Sequence, residues 1–129
     1  MKIIFTQLGW FIVVGCSAAA IHWSIAVLCI ALFDAWPFLA NFLGWLIAMF
    51  ISFLGHYFLT FQHQMKSLKL AAKRFLIISA SGFAINEFVF VSLLEITNIP
   101  YYWLLAITLV TIALLTFFFS RYWTFLHKP

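Results

Sequence analysis

Four apolar stretches, separated by two short turns and one basic connection, make up almost all of this chain. Leu8 to Phe33 holds a single Asp, Glu, His, Lys or Arg residue, His22; Pro37 to Phe61 holds only His56; Phe75 to Leu94 holds only Glu87; Tyr101 to Ser120 holds none. Each stretch is about 20 residues or longer, the length a helix needs to cross a hydrocarbon core of roughly 30 Å. Apolar and polar positions do not alternate, which speaks against the strands of a barrel. Backbone groups in lipid must be paired within the segment. The pattern therefore predicts an all-α integral membrane protein with four transmembrane helices.

Composition agrees and adds an orientation. Of 129 residues, 67% are hydrophobic and 8% charged, with mean hydropathy +1.14. That is more apolar side chain than a soluble domain of this size can hide. The basic residues all fall on one side of the expected bilayer: Lys2 before the first span, Lys66, Lys69, Lys73 and Arg74 between the second and third, Arg121 and Lys128 after the fourth. The opposite side carries Asp34, Glu95 and Asn98. The positive-inside rule then predicts that both termini and the middle connection are cytoplasmic. The net charge of +4 reads as topology plus attraction to membrane lipids with anionic headgroups. No nucleic-acid partner is expected, because no basic and aromatic surface lies outside the bilayer.

A phrase near the C-terminus, Thr116-Phe-Phe-Phe-Ser-Arg-Tyr-Trp-Thr-Phe125, has a looser copy in Ser52-Phe-Leu-Gly-His-Tyr-Phe-Leu-Thr-Phe61. The offset of 64 positions also pairs Phe11 with Phe75, Ser17 with Ser81, Ala20 with Ala84, Ile21 with Ile85 and His63 with His127, without a gap. This predicts one membrane domain, residues 1–129, made of two tandem two-helix repeats: about 8–61 and about 75–125, joined by a cytoplasmic basic loop, 62–74. Two spans per unit give both repeats the same polarity, so a pseudo-symmetry axis would run along the membrane normal.

Small residues mark the expected packing faces. Gly15, Ala18, His22 and Ala26 share one side of the first span. Asn41, Gly44, Ala48, Ser52 and Gly55 recur at steps of three and four along the second. Such stripes let helices approach closely where no hydrophobic drive acts between them. A homodimer joined through them is expected, since four thin helices enclose little protected volume. In the basic connection, Lys66, Lys69, Lys73 and Arg74 oppose Leu68, Ala71, Ala72 and Phe75, which fits either a short helix lying in the interface or a solvated anchor. Cys16 and Cys29 lie about 20 Å apart on one helix, too far to bridge, and read as packing residues. A lipoprotein-type cleavage at Cys16 is disfavoured because the apolar run continues well past it.

The residues that could carry chemistry are few. Glu87 stands in a span, where carboxyls are costly and rarely face lipid. The 64-residue offset aligns Asn86 with His22, so His22, Asn86 and Glu87 are expected at one level. A direct His22–Glu87 contact there could carry a proton; a protonated Glu87 with a purely structural bond is the plain alternative. His56, Ser52 and Asn41 extend the expected polar seam. Arg121, with Arg74 or Lys73, could clamp a phosphate at the cytoplasmic boundary, although an arginine at that depth is as commonly an interfacial anchor. No metal site, resident cofactor, nucleophile motif or paired carboxylates is present in the pattern, and an enzyme is not expected.

These features together resemble the GtrA-like family of small four-helix bacterial membrane proteins, over nearly the whole chain. The resemblance rests on the run to Gly15 with Ile21-His22-Trp23, on Ser52-Phe53 with Thr60-Phe61, and on Arg121-Tyr122-Trp123-Thr124-Phe125. Family members typically close each unit on Ser-Phe-x-x-Asn-Arg-x-Trp-Thr-Phe. Here His56 and Ser120 hold the asparagine place, and Tyr57 and Leu59 replace the first copy's arginine and tryptophan, so an arginine role carries over only to Arg121. The resemblance implies flipping of a polyprenyl-phosphate-linked sugar, such as undecaprenyl-phosphate glucose, across the bacterial inner (cytoplasmic) membrane for cell-surface polysaccharide synthesis. The competing expectations are a non-transporting adaptor that docks a membrane glycosyltransferase, and a small proton-coupled drug exporter. The exporter fits least, because that class generally carries its carboxylate in the first span.

A reporter fused beside Lys69 should face the cytoplasm. Periplasmic labelling at that position would reverse the orientation and remove the inner phosphate clamp.

Overall fold

The computed structural model describes residues 2–60 and 67–124, with side chains over 5–60, 67–70 and 72–115. The described chain is all-helical. Helix α1 spans Lys2–Phe33, α2 Pro37–Gly55, α3 Leu68–Ile96 and α4 Tyr101–Thr124; a π-helical turn, His56–Thr60, continues α2. Three of these, over Phe5–Phe33, Pro37–Thr60 and Leu68–Ile96, are long and apolar enough to cross a bilayer, and α4 is apolar over Tyr101–Leu115. The four helices pack in cyclic order, α1 on α2, α2 on α3, α3 on α4, and α4 back on α1, with α1–α2 the most extensive pairing.

Local chemistry sets the ends of the elements. Asp34 closes α1 in the left-handed region, φ 51°, which a short polar side chain tolerates better than most. The amides of Asp34 and Ala35 then bond back to the carbonyls of Ile30 (3.1 Å) and Cys29 (3.2 Å), satisfying groups a helix end would leave open. Pro37 opens α2 at a position where its missing N–H costs nothing. Asn98-Ile-Pro100 separates α3 from α4, and Pro100 accepts from the amides of Trp103 and Leu104.

The basic connection departs from expectation. Ser67 caps α3, its hydroxyl accepting from the Leu70 amide at 3.4 Å, so Lys69, Lys73 and Arg74 already belong to the first two turns of the third long helix. An uninterrupted helix cannot turn to lie in the interface, and the separate interfacial helix is replaced by a long α3. Lys73 and Arg74 are exposed there. Residues 61–66, including Lys66 and His63, and the side chain of Arg121 lie outside the described ones.

Apart from one apolar cluster, the buried positions are held mostly by small and polar groups, and many large apolar side chains point out. Ala18, Ala26, Ala40 and Ala48 are buried, whereas Ile47, Phe50, Leu54, Phe88, Ile107 and Val110 are exposed. This inverts the soluble pattern because the outside solvent is lipid. A buried apolar cluster, Ala26, Phe90, Leu104 and Leu105 backed by Trp23, Leu93 and Tyr101, lies toward the Asp34 end. There the Trp23 indole donates to the Tyr102 carbonyl at 2.9 Å. Across the bundle, Trp45 donates to the Ser79 hydroxyl (3.0 Å) and stacks on Phe83 at 4.7 Å, joining α2 to α3.

The stripe on α2 is spent within the chain. A Cβ added to Gly44 would sit 2.6 Å from the His22 carbonyl oxygen, and one added to Gly55 would sit 2.7 Å from a Val14 methyl. Gly44 and Ala48 are buried, so the face expected to join two copies is occupied by α1. A dimer built on that stripe would have to separate α1 from α2.

Gly44→Ala is expected to lower unfolding stability in micelles by about 1–3 kcal/mol, the usual range for forced overpacking. Gly55→Ala should cost less, because Val14 meets it with a side chain and not with backbone. Equal stability of Gly44→Ala and the parent would rule out this close approach.

Candidate functional site

The polar groups inside the bundle converge on one amide. Asn41, one turn into α2 and fully buried, accepts at Oδ1 from His22 Nε2 at 2.6 Å. A carbonyl oxygen can only accept, so this bond places the proton of the His22 ring on Nε2. The Asn41 amide nitrogen uses both hydrogens on α3: it donates to Asn86 Oδ1 at 2.9 Å and to Glu87 Oε2 at 2.6 Å. One side chain thus ties three helices together.

Helix geometry explains the convergence. Asn86 and Glu87 are consecutive and leave α3 in directions about 100° apart, so they approach from two sides of a point on the facing helix. Gly44, one turn beyond Asn41, lets α1 come close enough for His22 to reach it. All four residues are at least nine-tenths buried. Thr108 of α4 is also buried, but its hydroxyl donates back to the Leu104 carbonyl of its own helix at 2.6 Å, and it does not join the network.

His22, Asn86 and Glu87 are therefore brought to one level, as the spacing predicts. Their connection differs from expectation. Among the described residues no hydrogen bond or ion pair links His22 to Glu87; Asn41 stands between them. A primary amide does not readily release and recapture a proton, so the direct proton contact is replaced by a fixed hydrogen-bonded bridge. The bridge lies on the Asp34 side of mid-helix, with Asn41 near the start of α2 and His22 and Glu87 about 7 Å of rise from the midpoints of α1 and α3. Asn41 is about 6 Å of helical rise from Pro37, and Glu87 about 14 Å from Ile96.

His56 belongs to a second, separate cluster. It lies on the π-helical turn about 22 Å along α2 from Asn41, 8% exposed, sharing a 3.0 Å hydrogen bond with the Thr60 hydroxyl and stacked on Phe11 at 4.9 Å. Phe75 of α3 closes over it, ring centroids 6.1 Å apart. Ser52 is half-buried on the same side of α2 and takes no part in the Asn41 network. A continuous seam from His56 to Glu87 is thus resolved into two polar levels. Lys73 and Arg74 are nearer the His56 level, with Arg74 about 20 Å of rise from Glu87.

The central role of Asn41 was not readable from spacing, where it is one member of a small-residue stripe. Its signal is an amide side chain one turn inside a proline-initiated apolar run, where an unpartnered polar group is costly.

Residues 10–125 match the family model described as GtrA/DPMS, transmembrane domain. Neither a curated protein nor a solved structure matches the chain.

Removing the amide would strand His22, Asn86 and Glu87 together. Asn41→Ala is expected to lose about 2–4 kcal/mol, from more than one buried group left unpaired at about 1–3 kcal/mol each. His22→Ala should lose less. Unfolding titrations in micelles check the order, and a reversed order would contradict Asn41 as the common partner.

Proposed function

Because this chain belongs to the GtrA/DPMS transmembrane-domain family, membrane proteins of glycosyl-lipid-related and generally non-enzymatic function, we propose that it translocates a polyprenyl-phosphate-linked sugar. The substrate would enter from the cytoplasmic leaflet of the bacterial inner membrane and serve cell-surface polysaccharide synthesis. The observation that carries this reading is the Asn41-centred network, a fully buried set of sugar-compatible donors and acceptors inside a bundle whose outer face is apolar.

The two polar levels suit such a lipid in sequence. Arg121, with Arg74 or Lys73, would collect the phosphate at the basic end as a charge-assisted pair. The sugar would exchange hydration for hydroxyl and amide partners along the bundle, passing the His56 level before the Asn41 level. The polyprenyl tail would stay outside, against the exposed Ile, Leu and Phe side chains. The roughly 20 Å between Arg74 and Glu87 is longer than a sugar phosphate, so the two ends act one after the other.

An adaptor docking a glycosyltransferase could still use the exposed Lys73 and Arg74, but on the α2 stripe Gly44 is closed by His22 of α1. A glycosyltransferase that consumes the flipped sugar remains the partner this function calls for.

In cells, Glu87→Gln and Arg121→Ala should each abolish surface glycosylation while the protein still inserts at normal abundance. Native-level glycosylation in both variants would sink the assignment of these residues to the substrate path.

A further inference from the structure

Two atoms of the network have no protein partner. Asn86 Nδ2 and Glu87 Oε1 are both buried, and neither meets a hydrogen-bonding group of the chain. Their residues are 2% and 7% exposed. Every other polar atom of the Asn41 amide and its contacts on α3 is committed: Asn86 Oδ1 and Glu87 Oε2 are both taken by Asn41. What is left over is one donor and one acceptor, on adjacent residues whose head groups are pinned to the same amide nitrogen.

Leaving two such groups unpaired in a membrane interior costs on the order of 1–3 kcal/mol each. The chain could have avoided the cost with an apolar residue at either place, as it does at the offset-related position of Asn41, where Leu105 packs in the apolar cluster. A donor beside an acceptor is the complement of a hydroxyl, which accepts through its lone pairs and donates its one hydrogen. A phosphate offers acceptors only and would be repelled by a carboxylate, and an ammonium offers donors only.

We infer that Asn86 Nδ2 and Glu87 Oε1 form a hydroxyl-reading site for the sugar of the transported lipid. Asn86 donates to a sugar hydroxyl oxygen and Glu87 accepts that hydroxyl's, or its neighbour's, hydrogen. The inference rests on the translocation reading and specifies it: sugar recognition belongs to α3 on the Asp34 side of its midpoint, and phosphate recognition belongs elsewhere. Asn41 is then a positioning residue that aims both groups by holding their other atoms.

Two near-isosteric substitutions separate the site from the scaffold. Asn86→Asp keeps the oxygen that accepts from Asn41 and turns the free donor into an acceptor. Glu87→Gln keeps an oxygen for Asn41 and turns the free acceptor into a donor. Purified protein in nanodiscs is titrated with polyprenyl-phosphate glucose and, separately, with sugar-free polyprenyl phosphate. The parent should bind the glucosylated lipid at least about tenfold tighter, the scale of one hydrogen bond gained or lost. Both variants should bind the sugar-free lipid as the parent does and lose most of the preference. A parent that prefers the sugar, with variants that keep the preference in full, overturns the hydroxyl site and leaves translocation standing. A parent with no preference overturns the site and counts against the translocation reading as well. Loss of both lipids in both variants makes the pair a structural bond and also overturns the site.

Discussion

The structure depends on one carboxamide in a place with no water to satisfy it. Asn41 is fully buried, and each of its hydrogen-bonding atoms is used: Oδ1 by His22, and the two amide hydrogens by Asn86 and Glu87. Between helices in lipid, apolar surface gives no preference for one neighbour over another, because the tails are as apolar as leucine. Hydrogen bonds and close packing decide which faces meet. Asn41 supplies the first for α1 and α3 together, and Gly44 supplies the second by letting the His22 backbone approach its Cα. Individual interhelical bonds of this kind average only about 0.6 kcal/mol in measured cases. Their weight here is in specificity, fixing which side of α2 faces α1 and which faces α3.

That constraint shapes what the protein can do. A bundle closed by large apolar side chains would offer nothing to a sugar. Outside the cluster around Phe90 and Leu105, this one keeps alanine, glycine and polar side chains inside, and it presents many of its isoleucines, leucines and phenylalanines to lipid. It concentrates polar groups at two depths, His56 with Thr60 near the basic end and the Asn41 network nearer the Asp34 turn. The intervening helix faces are lined by small residues, including Ala48 and half-buried Ser52. In the proposed translocation, a lipid with an apolar tail, an anionic phosphate and a terminal hydroxylated sugar would use the apolar outer faces, the basic end and the two polar levels respectively.

Much of the fold was legible in the hydrophobic pattern. Four uninterrupted apolar runs, proline at the start of α2 and Asn98-Ile-Pro100 before α4 are local signals, and local signals suffice where lipid forbids unpaired backbone. The start of α3 was not legible, because Lys69, Lys73 and Arg74 look the same on a solvated loop as on exposed helical turns. Only the Ser67 cap distinguishes the two. In the site, the level shared by His22, Asn86 and Glu87 followed from the 64-residue offset, but their bridge did not. Spacing identifies residues on one face of a helix and says nothing of the rotation of its neighbours. For the same reason the stripe on α2 announced a close approach without naming α1 as the occupant.

Transbilayer movement is the property that tests this account most directly. Purified protein reconstituted into liposomes with polyprenyl-phosphate glucose in both leaflets should make the inner-leaflet sugar reachable by an impermeant external reagent, at a rate that rises with protein content. Sugar that remains as protected as in protein-free liposomes, with the protein folded and inserted, would contradict it.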